Sequence, residues 1–129
     1  MTQKIIQSAK RIDGSSNEIL QLGRLDIVRD WGWAPDYVEA MWLMLQQEKP
    51  QDFLIATGES FALQDFVSAA FEHLGLNWVD HVQQSDQLFR PTDIAVSAAN
   101  SSKARQELAW VPKFNMLGVV KNMIEEQLY

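Results

Sequence analysis

The sequence predicts an α/β fold, a small mixed sheet with about five helices. Apolar residues recur at helical spacing in several stretches, and short alternating or continuous apolar runs stand between them. The length of 129 residues, 47% of them hydrophobic and 22% charged, suits a single domain, 1–129, with a core of its own. Strands that alternate with helices favour a partly parallel sheet.

The elements follow in order. Ile5, Ile6, Ala9 and Ile12 fall on one face of a first helix. Asp13-Gly14-Ser15-Ser16-Asn17 is a turn, with Gly and Asn as the residues that tolerate positive φ. Glu18 to Leu22 alternates loosely and reads as a strand that Gly23 breaks. Pro35 can open a helix without losing a useful N–H, and Asp36 and Glu39 put negative charge in its first turn. The spacing predicts this helix over 36–48, with Tyr37, Val38, Met41, Trp42 and Leu45 as its apolar face. Phe53-Leu54-Ile55-Ala56 has the pattern of a strand covered on both sides. Leu63, Phe66, Val67, Ala70, Phe71 and Leu74 mark the strongest helix, with Gly75 at its C-terminal cap. Residues 77–82 and 92–97 are weaker strand candidates. Asn100 can cap a short helix through Leu108, and Met116, Val119, Val120, Met123 and Ile124 form the face of a last helix.

These strands are too few for a complete doubly wound domain. The helix at 36–48 also carries Met41, Trp42, Leu43, Met44 and Leu45 in a row. Apolar residues on more than one face require cover on more than one side, so the chain is expected to belong to something larger or to form a homo-oligomer.

Composition excludes several function classes. Seventeen acidic against eleven basic residues give a net charge of −6, which disfavours general binding to nucleic acid or to an anionic membrane surface. The chain has no cysteine, so disulfides, thiolate chemistry and cysteine-based zinc sites are out. No apolar run approaches the roughly 18 residues of a membrane helix. Met1-Thr2-Gln3-Lys4-Ile5-Ile6 lacks the apolar stretch of a signal peptide. A cytoplasmic, unprocessed protein is the expectation.

The chemistry present is narrow. There is no Gly-x-Gly-x-x-Gly, no phosphate-binding loop and no Tyr-x-x-x-Lys pair. Only His73 and His81 could serve a triad or a metal site, and both are read as structural or exposed, so no catalytic or metal residue is assigned. Two arginine segments stand out, one from Gly23 to Val38 and one at Phe89-Arg90-Pro91-Thr92-Asp93-Ile94. Guanidinium forks hold phosphate oxygens in bidentate geometry, so paired arginines suit a diphosphate. The alternative is a set of surface ion pairs, Arg29 with Asp30 or Asp26 and Arg90 with Asp93.

At these residues the chain resembles a known family. Arg29-Asp30-Trp31-Gly32-x-Ala34-x-Asp36-Tyr37-Val38-Glu39-Ala40-Met41-Trp42-Leu43-Met44-Leu45-Gln46 resembles the long signature of GDP-mannose 4,6-dehydratases, which are extended short-chain dehydrogenases. The likeness continues through Asp52-Phe53-x-Ile55-Ala56-Thr57-Gly58-Glu59-Ser60, Phe89 to Asp93, Ser102-Lys103-Ala104 and Leu108-x-Trp110-x-Pro112. It implies an enzyme that removes water from GDP-mannose with bound NADP as an internal hydride carrier. The NADP loop, the Tyr-x-x-x-Lys pair and the acid/base residues belong to the family's N-terminal Rossmann half. This chain resembles only the C-terminal portion, so no cofactor is expected on it alone.

Binding roles are implied position by position. Arg29 and Arg90 match arginines that face the nucleotide diphosphate, and Asp93 matches an acidic residue expected near the ribose. Leu22, Gly23 and Arg24 match the strand end beside the base, where the family often has Asn at the third position. The departures are Trp33 for a His or Tyr, Phe61-Ala62 for a His-Ser pair with loss of a helix cap, Asn100-Ser101 for Asp-Pro, and Ala109 for a Gly just past a helix. If position 109 needs positive φ, the change costs about 1 kcal/mol. Two functional expectations follow: a GDP-mannose- or GDP-binding portion that does not catalyse alone, or a self-associating module that has lost nucleotide binding. Trp31, Trp42, Trp78 and Trp110 are read as core or interface rather than as a stacking platform.

Overall fold

Ile5, Ile6, Ala9 and Ile12 are buried together on one side of the first helix, α1 (Thr2–Asp13), in the computed structural model, which describes residues 1–125. The turn that follows places its positive φ at Ser15 (78°), whereas Gly14 has an ordinary φ of −75°. The strained position therefore falls on neither of the residues that composition singles out. Backbone N–H groups of Ser15 and Ser16 close the turn onto the carbonyls of Ile12 and Arg11. Arg11 then forms a two-pronged ion pair with Glu18. That pair, with help from Ser8, holds the Glu18 carboxyl down at about 2.

The chain next forms β1 (Leu20–Leu22) and β2 (Val28–Asp30), then α2 (Ala34–Leu45). After an extended stretch come β3 (Ser60–Ala62) and α3 (Leu63–His73). A 3₁₀ turn at Trp78–Asp80 leads into β4 (Val82–Gln84), and α4 (Ser102–Glu107) and α5 (Met116–Glu125) complete the described chain. β1 pairs with β4 in parallel, Leu20 opposite Val82. β2 pairs with β3 antiparallel, Val28 opposite Ala62. The pairing is mixed, as expected for this α/β chain, and is distributed over two two-stranded sheets.

The main core lies where α1, α3 and α5 meet the two strand pairs. Leu63, Phe66, Val67, Ala70 and Phe71 are fully buried on α3, and Val119 and Val120 meet them from α5. Ala62 has no side-chain acceptor, so α3 keeps only half of a capping box, in which Asp65 Oδ2 accepts from the Ala62 N–H at 2.9 Å. Gly75, at φ +73°, turns the chain just past the helix end. At α4, Asn100 Oδ1 accepts from the Ser102 N–H at 2.9 Å.

Four expectations about elements need correction. Phe53-Leu54-Ile55-Ala56 forms no strand ladder among the described residues. Phe53 and Ile55 pack on a small second cluster of Ala40, Ala104, Leu108 and Trp110, and Leu54 is exposed. Of the candidate at 77–82 only Val82 lies in a strand, β4 (Val82–Gln84), because residues 78–80 form the 3₁₀ turn. The third contracts to a single parallel bridge between Val96 and Val28, closed by Val28 N–H to Ala95 and Ser97 N–H to Val28. On α2 the packed side is Asp36, Ala40, Leu43 and Met44, while Val38, Met41, Trp42 and Leu45 are 59–82% exposed.

Candidate functional site

The loop between β1 and β2, the start of β2 and the segment 88–93 enclose a cleft of about 390 Å³. Five of the six residues singled out for binding line it: Gly23, Arg24, Arg29, Arg90 and Asp93. Leu22 does not, because its side chain is buried in the main core and only its backbone reaches this end of β1. Its carbonyl accepts from the Ser85 N–H at 2.8 Å, which extends the β1–β4 pairing toward the cleft. Gly23 is set by contact rather than by φ. A Cβ there would stand 2.8 Å from the Leu88 carbonyl oxygen, so the close approach of the two segments requires glycine.

The arginines differ in how they are held. Arg29 Nη1 donates to the carbonyl of Val28 at 2.8 Å and Nη2 donates to Asp93 Oδ1 at 3.0 Å, with both side chains about three-quarters covered. The partner is neither Asp30 nor Asp26. Arg24 donates from Nε and Nη2 to the two oxygens of Asp26 at 2.9 and 2.7 Å. This fork pushes the Arg24 guanidinium up and holds the Asp26 carboxyl below the usual carboxylate range. Arg90 is exposed and forms no ion pair among the described residues. Ile27, Leu88, Trp31 and Met1 also line the cleft, and nothing in their local pattern distinguishes them from ordinary core or surface residues.

Most of the sequence signature around Arg29 is structural. Asp30 accepts from the N–H groups of Thr57 and Gly58 at 3.0 and 2.9 Å, tying β2 to the turn before β3. Trp31 Nε1 donates to the Phe61 carbonyl at 3.2 Å. Gly32 leaves room for the Tyr37 ring, since a Cβ there would overlap it. Burial, with the Asp30 carboxylate second, pushes the Tyr37 phenol up. Asp36 is buried and accepts from the N–H groups of Lys113 and Phe114, while its carbonyl accepts from Trp110 Nε1 at 2.9 Å. Of this run, Arg29 and Asp30 are the charged residues that line the cleft, and the Asp30 carboxylate is taken up by Thr57 and Gly58.

A larger cleft of about 610 Å³ lies between the start of α1, α5 and residues 30–37, lined by Trp31, Trp33, Tyr37 and Met123 among others. No cation lines it, so it offers a phosphate nothing. Among the described residues no group of three His, Asp or Glu could hold a metal ion, and no helix is long and apolar enough to cross a membrane.

Comparison with known proteins gives this geometry a context. In solved structures the fold recurs in RMD from Pseudomonas aeruginosa complexed with NADPH, at a TM-score of 0.80 and 13% identity over 95% of this chain and 40% of that one. It recurs in dTDP-glucose 4,6-dehydratase from Bacillus anthracis in complex with NAD, at 0.78 and 19% over 94% and 36%. In sequence the chain is 45% identical to GDP-mannose 4,6 dehydratase 1 of Arabidopsis thaliana over 128 residues, which are 99% of this chain and 36% of that protein. It is 38% identical to the human GDP-mannose 4,6 dehydratase over 96% of this chain and 38% of that protein. The chain thus spans little more than a third of the relatives it matches. The family model described as GDP-mannose 4,6 dehydratase matches residues 1–123. On that match, and on the relatives that share it, this chain belongs to the GDP-mannose 4,6-dehydratase family.

Proposed function

We propose that this chain is the nucleotide-sugar-binding portion of a GDP-mannose dehydratase-like system, with GDP-mannose or GDP as ligand, and that it does not dehydrate the sugar alone. The observation that carries the reading is the meeting of Arg24, Arg29 and Arg90 in one cleft of a chain whose net charge is −6. Arg24 is already paired with Asp26 and Arg29 with Asp93, so Arg90, which has no ion-pair partner among the described residues, is the guanidinium with its charge open to a diphosphate. Arg29 is anchored at the start by Val28 and Asp93, so little side-chain entropy remains to be lost when it meets a phosphate. Asp93 keeps a second carboxylate oxygen for a ribose hydroxyl.

The relatives' whole reaction needs a nicotinamide set against the sugar, and the residues here do not fit that cofactor. A dinucleotide site needs a strand, a glycine-rich turn and a helix N-terminus in succession. Among the described residues β3 passes straight into α3 at Ala62-Leu63, and β2 reaches α2 through Trp31-Gly32-Trp33 with a single glycine that the Tyr37 ring fills, so neither junction is a glycine-rich turn. The part assigned to this chain is to bind and orient the nucleotide end of the substrate, in the cytoplasm.

Calorimetric titration with GDP and with GDP-mannose tests the reading on the wild type and on Arg29→Ala. The expected result is saturable binding, weakened by about ten-fold or more in the variant, the worth of a charge-assisted contact. No heat at millimolar ligand would sink it.

A second reading has its own observation. The outer side of α2 exposes Val38, Met41, Trp42 and Leu45 at positions i, i+3, i+4 and i+7. That spacing forms a continuous seam, which supports self-association of this chain through α2.

A further inference from the structure

We propose that the cleft of about 610 Å³ between the start of α1, α5 and residues 30–37 binds a small quaternary-ammonium solute, with Trp31, Trp33 and Tyr37 as its aromatic walls and Asp30 as the charge that draws the cation in. The inference goes beyond the nucleotide reading and does not rest on it, although Asp30 lines both clefts.

The charge of this lining is one-sided. Among the described residues Asp30 is the one charged side chain that lines it. Its two oxygens accept from the backbone N–H groups of Thr57 and Gly58 at 3.0 and 2.9 Å. Those donors are neutral, so they fix the carboxylate without cancelling its charge. No Lys, Arg or His pairs with it among the described residues. The Tyr37 phenol lies close enough to feel the same carboxylate. A carboxylate held in this way has little left to offer an N–H donor and still attracts a positive charge. A quaternary ammonium carries the charge and no N–H, so it matches what remains.

The walls supply the second half of the recognition. The face of an aromatic ring attracts a cation within about 6 Å of its centroid, and Trp does so best. Trp31, Trp33 and Tyr37 are half-buried, and each is backed by a ring that lies outside the lining. Trp31 stands 5.2 Å from Phe66 between centroids, Trp33 6.2 Å from Phe114 and Tyr37 6.2 Å from Trp110. Trp31 is also tied to the Phe61 carbonyl through Nε1, and Gly32 lets the Tyr37 ring close on the backbone. The rings thus stand in place before a ligand arrives, and little side-chain entropy is lost on binding. The rest of the lining is chiefly apolar, so a primary ammonium would give up water for N–H groups that find few acceptors. Trp33 stands where the family usually has His or Tyr, so the strongest wall belongs to this chain's own sequence.

Ligand-observed NMR titration with choline tests the inference on the 129-residue chain, with ionic strength held constant by sodium chloride. Saturable binding with a Kd of about millimolar order is expected. The uncharged carbon isostere of choline, 3,3-dimethylbutanol, should bind at least about ten-fold more weakly. Trp33→Leu keeps apolar cover and removes the ring, and it should weaken choline by about five-fold or more, with Trp33→Phe in between. Asp30→Asn should weaken choline and leave the isostere unchanged. Urea midpoints show which variants are folded, and if Asp30→Asn is not, the choline-to-isostere ratio and Trp33→Leu decide. Equal binding of choline and its isostere overturns the inference, because the cleft is then merely apolar. A folded Trp33→Leu with wild-type affinity overturns it too, as does the absence of saturation up to roughly 100 mM choline. Retention on phosphatidylcholine vesicles without binding of free choline would overturn it in favour of a lipid surface. Failure of the chain to bind GDP removes the nucleotide reading and leaves this one standing.

Discussion

Ala109 follows α4 at φ +52°, in the left-handed region that an L side chain enters at a cost of about 1–2 kcal/mol. The family resemblance places a glycine here, and the backbone now gives the reason: the chain must reverse between Leu108, whose N–H ends α4 on Ala104, and Trp110, whose indole must reach the Asp36 carbonyl. Glycine would relieve the strain and give back some of the gain through its larger unfolded-state entropy. Ala109→Gly is therefore expected to stabilise the fold by about 0.5–1 kcal/mol, read as a higher urea midpoint at unchanged slope. An unchanged or lower midpoint would mean that the left-handed backbone is not strained. Ser15 holds a similar φ of 78°, and nothing in Asp13-Gly14-Ser15-Ser16-Asn17 pointed to it rather than to Gly14. Hydrogen bonds from Ser15 and Ser16 back to α1 select the residue, and those depend on where the helix stops.

Among the elements, α2 shows why a long motif need not be a long active site. Asp36 sits in its first turn with its carboxylate turned to the N–H groups of Lys113 and Phe114, far along the chain. Lys113 also pairs with Glu39 and Trp110 with the Asp36 carbonyl, so one turn of α2 anchors the whole approach to α5. Asp36→Ala should cost about 2–3 kcal/mol, because two backbone donors lose a charged acceptor in a partly buried place. Chemical denaturation would measure it, and a loss under about 0.5 kcal/mol would show that water replaces the carboxylate freely. The five helices were legible in the sequence because a 3.6-residue period repeats over ten or more positions in most of them. The strands were harder. β2 and β3 are three residues each and half-buried, so no alternation announces them, and their pairing is decided across some thirty residues of chain. The apolar run Phe53 to Ala56 signals burial, which its pattern does not distinguish from strand pairing, and the burial of Phe53 and Ile55 comes from packing on the cluster of Ala40, Ala104, Leu108 and Trp110. The cleft was legible from the two arginine segments, which point to Arg29 and Arg90, and from the family resemblance, which adds Arg24 and Asp93, and these four residues do line one cleft. Their partners were not, because Arg29 finds Asp93 across 64 positions.

At the scale of the whole molecule, α2 has apolar residues on two sides and cover on one. Ala40, Leu43 and Met44 face the second cluster, while Val38, Met41, Trp42 and Leu45 stand opposite. Four side chains on one helix fall short of the roughly 800 Å² per partner that a stable interface buries. The association expected through this seam is therefore concentration-dependent rather than obligate. The net charge of −6 opposes it at low ionic strength, and a Debye length of about 8 Å at physiological salt removes most of that opposition. Sedimentation velocity should accordingly show a dimer whose fraction rises with protein concentration and with salt. A paired change, Met41→Glu with Trp42→Glu, should return a monomer at every concentration without lowering thermal stability by much, because both residues are exposed in the single chain. A wild type that stays monomeric as its concentration is raised would remove self-association through α2. The same seam would then have to be covered, if at all, by a different chain, and adding GDP to that monomer would separate the two readings, since ligand binding at the arginine cleft does not involve this side of α2.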